Sequence, residues 1–82
     1  MSLNSGRKEY QIAAIERAIE EYGPLTAQQV VELARYKNGR KINISFVSAS
    51  RLLNLNPRFV AYDRVTYGPH WLFRYNLAYD DT

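Results

Sequence analysis

Residues 44–65 read ISFVSASRLLNLNPRFVAYDRV, and the way this stretch folds decides the architecture of the whole chain. It opens as a helix. Ser45 is a candidate N-cap, because a serine side chain can accept a hydrogen bond from an orphan N–H of the first turn. Phe46, Ala49, Leu52 and Leu53 fall within about 120° on a helical wheel and define a core face, while Val47, Ser50, Arg51 and Asn54 point away from it. Pro57 biases Asn56 towards extended backbone, so a helix over about 45–55 stops near Leu55. Beyond the proline the chemistry changes to that of a strand.

Outward from this stretch, towards the N-terminus, LTAQQVVELARYKNG (25–39) predicts a second helix. Thr26 caps it, and Gln29 three residues later completes a capping-box pattern. Ala27, Val30, Leu33 and Ala34 form its buried stripe, and Lys37-Asn38-Gly39 reads as its stop. Before it, RKEYQIAAIERAIEEYG (7–23) places Ile12, Ile15, Ile19 and Tyr22 on one face at spacings of three and four, with Ala18 between them. Glu9, Glu16 and Glu20 gather on another flank, and Gly23-Pro24 ends the helix. Leu25 sits where a minimal strand can form. RKINI (40–44) reads as an extended link that tucks Ile42 and Ile44 inward.

Towards the C-terminus, RFVAYD (58–63) and HWLFRYNL (70–77) are aromatic and β-favouring, and RVTYGP (64–69) supplies the turn between them. This predicts a two-stranded hairpin. Trp71, Phe73 and Tyr75 share one strand face, and Leu72, Arg74 and Asn76 share the other. Packing of the aromatic face against the helices is the plain expectation; a surface for a partner or a second copy is the alternative.

Composition sets the outer limits. With 46% hydrophobic and 23% charged residues the chain is globular in type, and its 82 residues make one small domain. Without cysteine, it has neither a disulfide nor a thiolate zinc site, so stability rests on packing. No apolar run approaches the roughly 20 residues of a membrane span, and no secretory segment follows the start, so an intracellular location, cytoplasm or nucleoid, is expected. The polar MSLNSG opening reads as a disordered leader over residues 1–6, its first three set aside as a cloning remnant. Residues 7–78 form the domain, and 79–82 an acidic tail.

Charge is distributed unevenly along the chain. Residues 1–34 hold three cations against five carboxylates. Residues 35–74 hold eight, at Arg35, Lys37, Arg40, Lys41, Arg51, Arg58, Arg64 and Arg74, against Asp63 alone, a balance of +7. Such a half suggests an anionic partner, with a solvated basic loop region as the bland alternative.

Three helices, the last running straight into a hairpin, resemble the winged helix-turn-helix DNA-binding superfamily. The likeness is carried by ASRLL (Ala49–Leu53), similar to the V-S-R-x-L run of its recognition helices, and by NPRFV (Asn56–Val60), similar to the DPRF leading into the wing. GPLTAQQVVELA (Gly23–Ala34) resembles its passage into the second helix, and the likeness covers roughly residues 8–78. The segment from Asn38 to Ile44 departs from it, being longer and more basic than a tight helix-turn-helix turn.

The resemblance implies an α+β, mainly α fold: a three-helix bundle followed by a C-terminal two-stranded β-hairpin wing. It also implies double-stranded DNA as partner, with the helix at about 45–55 in the major groove and the wing at about 62–71 on flanking backbone or the minor groove. Carried over residue by residue, Ser48, Ser50, Arg51 and Asn54 occupy the reading face; Arg can fork to guanine and Asn to adenine. Ser45 with the first helical N–H groups offers an anion site. Arg40 and Lys41 are placed to clamp a phosphate. Arg58 reaches the backbone or pairs with Asp63, and Arg64 and Thr66 flank the wing turn. For each of these the plain alternative is a capping or solvated side chain.

A small transcriptional regulator acting as a homodimer is the functional expectation, since one module covers only a short site. The rival is a protein-interaction module within a transcription or nucleoprotein assembly, using the aromatic hairpin. No enzyme is expected: Ser48, His70 and Asp63 can be named together, but nothing in the sequence brings them together. One histidine with scattered carboxylates makes no metal site, and no cofactor or small-molecule ligand is implied.

Overall fold

Helix α1 spans Leu3–Tyr22 and turns Ile12, Ala14, Ile15, Ala18 and Ile19 into the core. The computed structural model describes residues 3–78, with side chains from Lys8 onward except that of Tyr67. Residues 3–6 of the expected leader thus lie within α1, whereas the rest of it and the acidic tail at 79–82 lie outside the described residues. Gly23 closes the helix at φ +89°, its N–H donating to the Ile19 carbonyl at 2.8 Å. That left-handed exit is nearly free of steric cost only for glycine.

Strand β1 is two residues long, Leu25–Thr26, and runs directly into helix α2, Ala27–Leu33. Thr26 serves both elements. In the sheet it pairs with Arg74, and at the helix its side chain accepts from the Gln29 N–H while the Gln29 side chain accepts from the Thr26 N–H. The capping box read from the sequence is therefore formed. Helix α3 spans Phe46–Leu55, with Ser45 as its N-cap and Asn56, extended ahead of Pro57, as its C-cap.

Strands β2, Phe59–Tyr67, and β3, His70–Leu77, pair antiparallel around Gly68-Pro69. The fold is α+β: three helices and a three-stranded antiparallel sheet of order β1-β3-β2. The third strand corrects the expected two-stranded count, and Leu25 forms the minimal strand that its position suggested. A bulge at Tyr62 shifts the register, so that Ala61 lies opposite Tyr75 but Asp63 lies opposite Arg74.

The core joins the α1 stripe to Leu25, Ala27, Val30, Ala34, Ile42, Ala49, Leu52, Leu53, Phe59 and Tyr75. Of the expected core, Tyr22 and Phe46 are exposed and Leu33 and Ile44 only partly buried; of the expected aromatic face Tyr75 alone packs inside, while Trp71 and Phe73 stay exposed. Tyr22 is 54% exposed: it has the right helical angle, but as the last residue of α1 it lies beyond Ile19, where this stripe of the core ends. Phe46 is 49% exposed. In the first turn of α3 it lines a shallow groove with Gln28, Val31, Glu32 and Lys41.

The α2 stop also differs. The helix ends at Leu33 with Ala34 as C-cap, and residues 35–41 fold back as a miniature hairpin. There Arg35 bridges Lys41, the Tyr36 N–H donates to the Arg40 carbonyl at 2.8 Å, and Gly39 turns at φ +89°. Asn38-Gly39 is thus the tip of that loop.

Replacing fully buried Leu53 by alanine should lower the unfolding free energy by about 2–5 kcal/mol, the usual cost of an internal cavity. Phe46→Ala should cost less than half as much in the same denaturant titration. Equal losses would return Phe46 to the core.

Candidate nucleic-acid interface

Helix α3 presents its outer face between two tied ends. At the mouth, the Ser48 N–H donates to the Ser45 side-chain oxygen at 3.1 Å, and the Ser45 hydroxyl lies 3.1 Å from that of Ser48. The two serines therefore cap the helix and each other. Ser50 is half-buried, and its carbonyl accepts from the Asn54 amide at 2.8 Å. The Asn54 carbonyl oxygen in turn accepts from the Tyr75 hydroxyl at 2.9 Å. Both ends of the Asn54 amide are thus engaged inside the protein. Asn54 is thus a tie between helix and sheet, a use of its amide that no local pattern signals.

Arg51 stands exposed on the same helix with no protein partner among the described residues. Arg40 and Lys41 are exposed likewise, as is Lys37, which the sequence reading left out. Lys37 sits at the tip of the 35–41 loop, and only the fold-back of that loop identifies it as a projecting cation. Arg35 bends onto its own chain, donating to the carbonyls of Glu32 at 2.8 Å and Ala34 at 3.1 Å.

The described residues form two ion pairs, and each neutralises a basic residue of the C-terminal half. Arg58 reaches Glu16 on α1 at 3.3 Å, so it pairs neither with Asp63 nor with solvent alone. Asp63 is instead gripped by Arg74, directly across the β2–β3 ladder, through two parallel hydrogen bonds. The guanidinium's hydrogen bonds hold the Asp63 carboxyl below its usual range, against a smaller opposing effect of desolvation. The same contact raises Arg74 above its ordinary value.

On the other face of the hairpin, the Arg64 guanidinium lies 4.2 Å above the centre of the Trp71 ring. Thr66, exposed, is directly opposite Trp71. The hairpin carries Arg64 and Thr66, and the loop and α3 carry Lys37, Arg40, Lys41, Ser48 and Arg51, so the exposed candidates fall on three elements.

The Ser48, His70 and Asp63 side chains do not form a catalytic group. His70 pairs with Tyr67, four ladder positions or about 13 Å from Asp63, and Ser48 is held at the mouth of α3. Among the described residues no three histidine, cysteine or acidic side chains gather as a metal site, and no helix is long and apolar enough to cross a membrane. Comparison of the chain with known protein families, with curated proteins and with solved structures returned no match.

Two outcomes follow from the ties. Tyr75→Phe should cost about 1 kcal/mol and Asn54→Ala somewhat more, and the double variant little more than Asn54→Ala alone, because that change already removes the shared hydrogen bond besides its own bond to Ser50. Additive losses would dissolve the pair. For Asp63 the folded carboxyl is depressed, so its contribution is present above the unfolded value of about 3.9 and is lost as pH falls through the folded one. The stability gap between the native protein and Asp63→Asn should narrow as urea titrations move from neutral pH into that acid range; a constant gap contradicts the pairing.

Proposed function

We propose that this chain is a winged-helix domain that binds double-stranded DNA, acting as a small transcriptional regulator and as a homodimer. In this reading α3 enters the major groove and the β2–β3 hairpin rests on flanking backbone or the minor groove. The element order, with a minimal strand between the first two helices joining the hairpin, supports the winged-helix assignment.

The observation that carries the reading is the placing of uncompensated charge. Among the described residues, Lys37, Arg40, Lys41, Arg51 and Arg64 have no carboxylate partner, while Arg58 and Arg74 in the same half are neutralised by Glu16 and Asp63. The carboxylates Glu9, Glu16, Glu20 and Glu21 lie on α1. Phosphate therefore finds net attraction from the loop, α3 and the hairpin, and none from α1, whose carboxylates nearly balance Arg7, Lys8 and Arg17.

Roles divide accordingly. Arg51 is the base reader, able to fork to guanine O6 and N7, with Ser48 and exposed Val47 beside it on the helix. Lys37, Arg40, Lys41 and Arg64 neutralise phosphates, which orients the domain without reading sequence. Asn54 supports this face by holding α3 to β3. The protein-interaction reading draws on the exposure of Trp71 and Phe73.

Mobility-shift titration with random duplex at two salt concentrations tests the proposal. Four neutralised phosphates per domain give a slope of log K against log salt of about −3.6. Lys41→Ala should weaken all duplexes alike and flatten the slope by about 1, whereas Arg51→Ala should cost about 1–3 kcal/mol on preferred sequences only. Absence of duplex binding at low salt would sink the DNA reading in favour of a protein partner.

A further inference from the structure

The chain's one tryptophan stands at the outer end of an aromatic stripe that the fold leaves half uncovered. Along one face of β3, Tyr75, Phe73 and Trp71 follow one another, with exposures of 5%, 49% and 61%. Tyr75 is anchored under α3 through Asn54, and its ring lies 6.4 Å from that of Phe73 at 58°. The stripe therefore begins in the core beside α3 and runs into solvent towards the tip of the hairpin. Opposite it, β2 contributes Arg64 across from Phe73 and Thr66 across from Trp71.

Charge on this face is one-sided. Arg64 is the only ionised side chain that the β2–β3 register puts there, and it covers the Trp71 ring from one side, leaving most of the indole surface open. The carboxylate of the hairpin, Asp63, lies on the opposite face, bound to Arg74 beside Tyr62. Among the described residues of the hairpin, the stripe thus offers two open aromatic rings next to a cation with no acid on that face.

An apolar protein partner, or a second copy of the chain, would cover Arg64 and leave its charge buried without a counter-ion, which is costly. A nucleotide has both complements: a flat π-face for the ring and an anion for the guanidinium. Paired bases turn their faces to their neighbours in the duplex, so only an unpaired base can stack there. We infer that the Trp71–Phe73 face binds unpaired nucleotides of a single strand, a base stacking on the open side of the indole and its phosphate meeting Arg64. This site lies away from the outer face of α3; it shares Arg64 with the proposed duplex contact but does not rest on that reading.

Because Trp71 is the chain's one tryptophan, emission excited at the red edge, where the seven tyrosines do not absorb, reports this site alone. Titration at low salt with an oligothymidylate of about twelve nucleotides, within the span such surfaces cover, should quench the emission saturably. By anisotropy of the labelled oligomer, Trp71→Ala should weaken binding about tenfold, while Trp71→Phe keeps most of it. Both variants should melt as the native protein does, and their duplex affinity should fall by no more than Arg64→Ala lowers it, since Trp71 holds that guanidinium.

Quenching of equal size by an abasic oligomer would reduce the contact to phosphate and overturn the stacking. Quenching by duplex but not by single strand would make Trp71 a wedge between paired bases instead. No response to the oligomer, with emission that shifts as protein concentration rises, would give the face to a second copy. Loss of duplex binding with single-strand quenching intact would remove the proposed regulator and leave this site standing.

Discussion

Tyr75 is the residue through which the two halves of the molecule hold each other. It lies in the central strand, opposite Leu25 on one side and Ala61 on the other, with its ring buried in the core. Its hydroxyl reaches Asn54 near the end of α3. A buried phenol needs such a partner, because an unsatisfied hydroxyl in an apolar surround is costly. One side chain thus fixes the angle between α3 and the hairpin, while β1, only two residues long, holds the start of α2 to the same strand. That junction, with the core packed around it, sets the loop, α3 and the hairpin relative to one another.

The distribution of charge acquires its meaning on that frame. A count along the chain gives eight basic residues between positions 35 and 74, yet they are not equivalent. Arg58 and Arg74 serve the fold as partners of carboxylates, and Arg35 folds onto its own carbonyls. The remaining five stand on the surface with no counter-ion among the described residues. An exposed ion pair contributes little to stability, so the pairs at Arg58 and Arg74 matter chiefly for which cations they take out of play. What is left is a surface whose positive charge is concentrated on the loop, α3 and the hairpin.

Much of this was legible in the sequence where local rules govern. Isoleucine and alanine spacing located α1, Thr26 and Gln29 located the start of α2, and Asn56-Pro57 located the end of α3. Helical angle, however, gives a direction and not a neighbour. Tyr22 and Phe46 point as core residues do, but they sit at helix ends where nothing packs over them. The β1–β3 register links residues about fifty apart, and the bulge at Tyr62 has no local signature, so neither could be read from short-range pattern. The same limit applied to the arginines. Whether Arg58 meets Glu16 or Asp63 is settled by how helix and sheet pack, which no count of charges contains.

The central claim, that nucleic acid lies on the cationic surface built around Tyr75 and away from α1, is most directly tested by backbone amide shifts. Adding a short duplex to labelled protein should move the signals of Arg40, Lys41, Ser48, Arg51 and Arg64. Those of Glu16 and Glu20 on α1 should stay in place. Shifts that cluster on α1 while the loop, α3 and the hairpin remain silent would contradict the account.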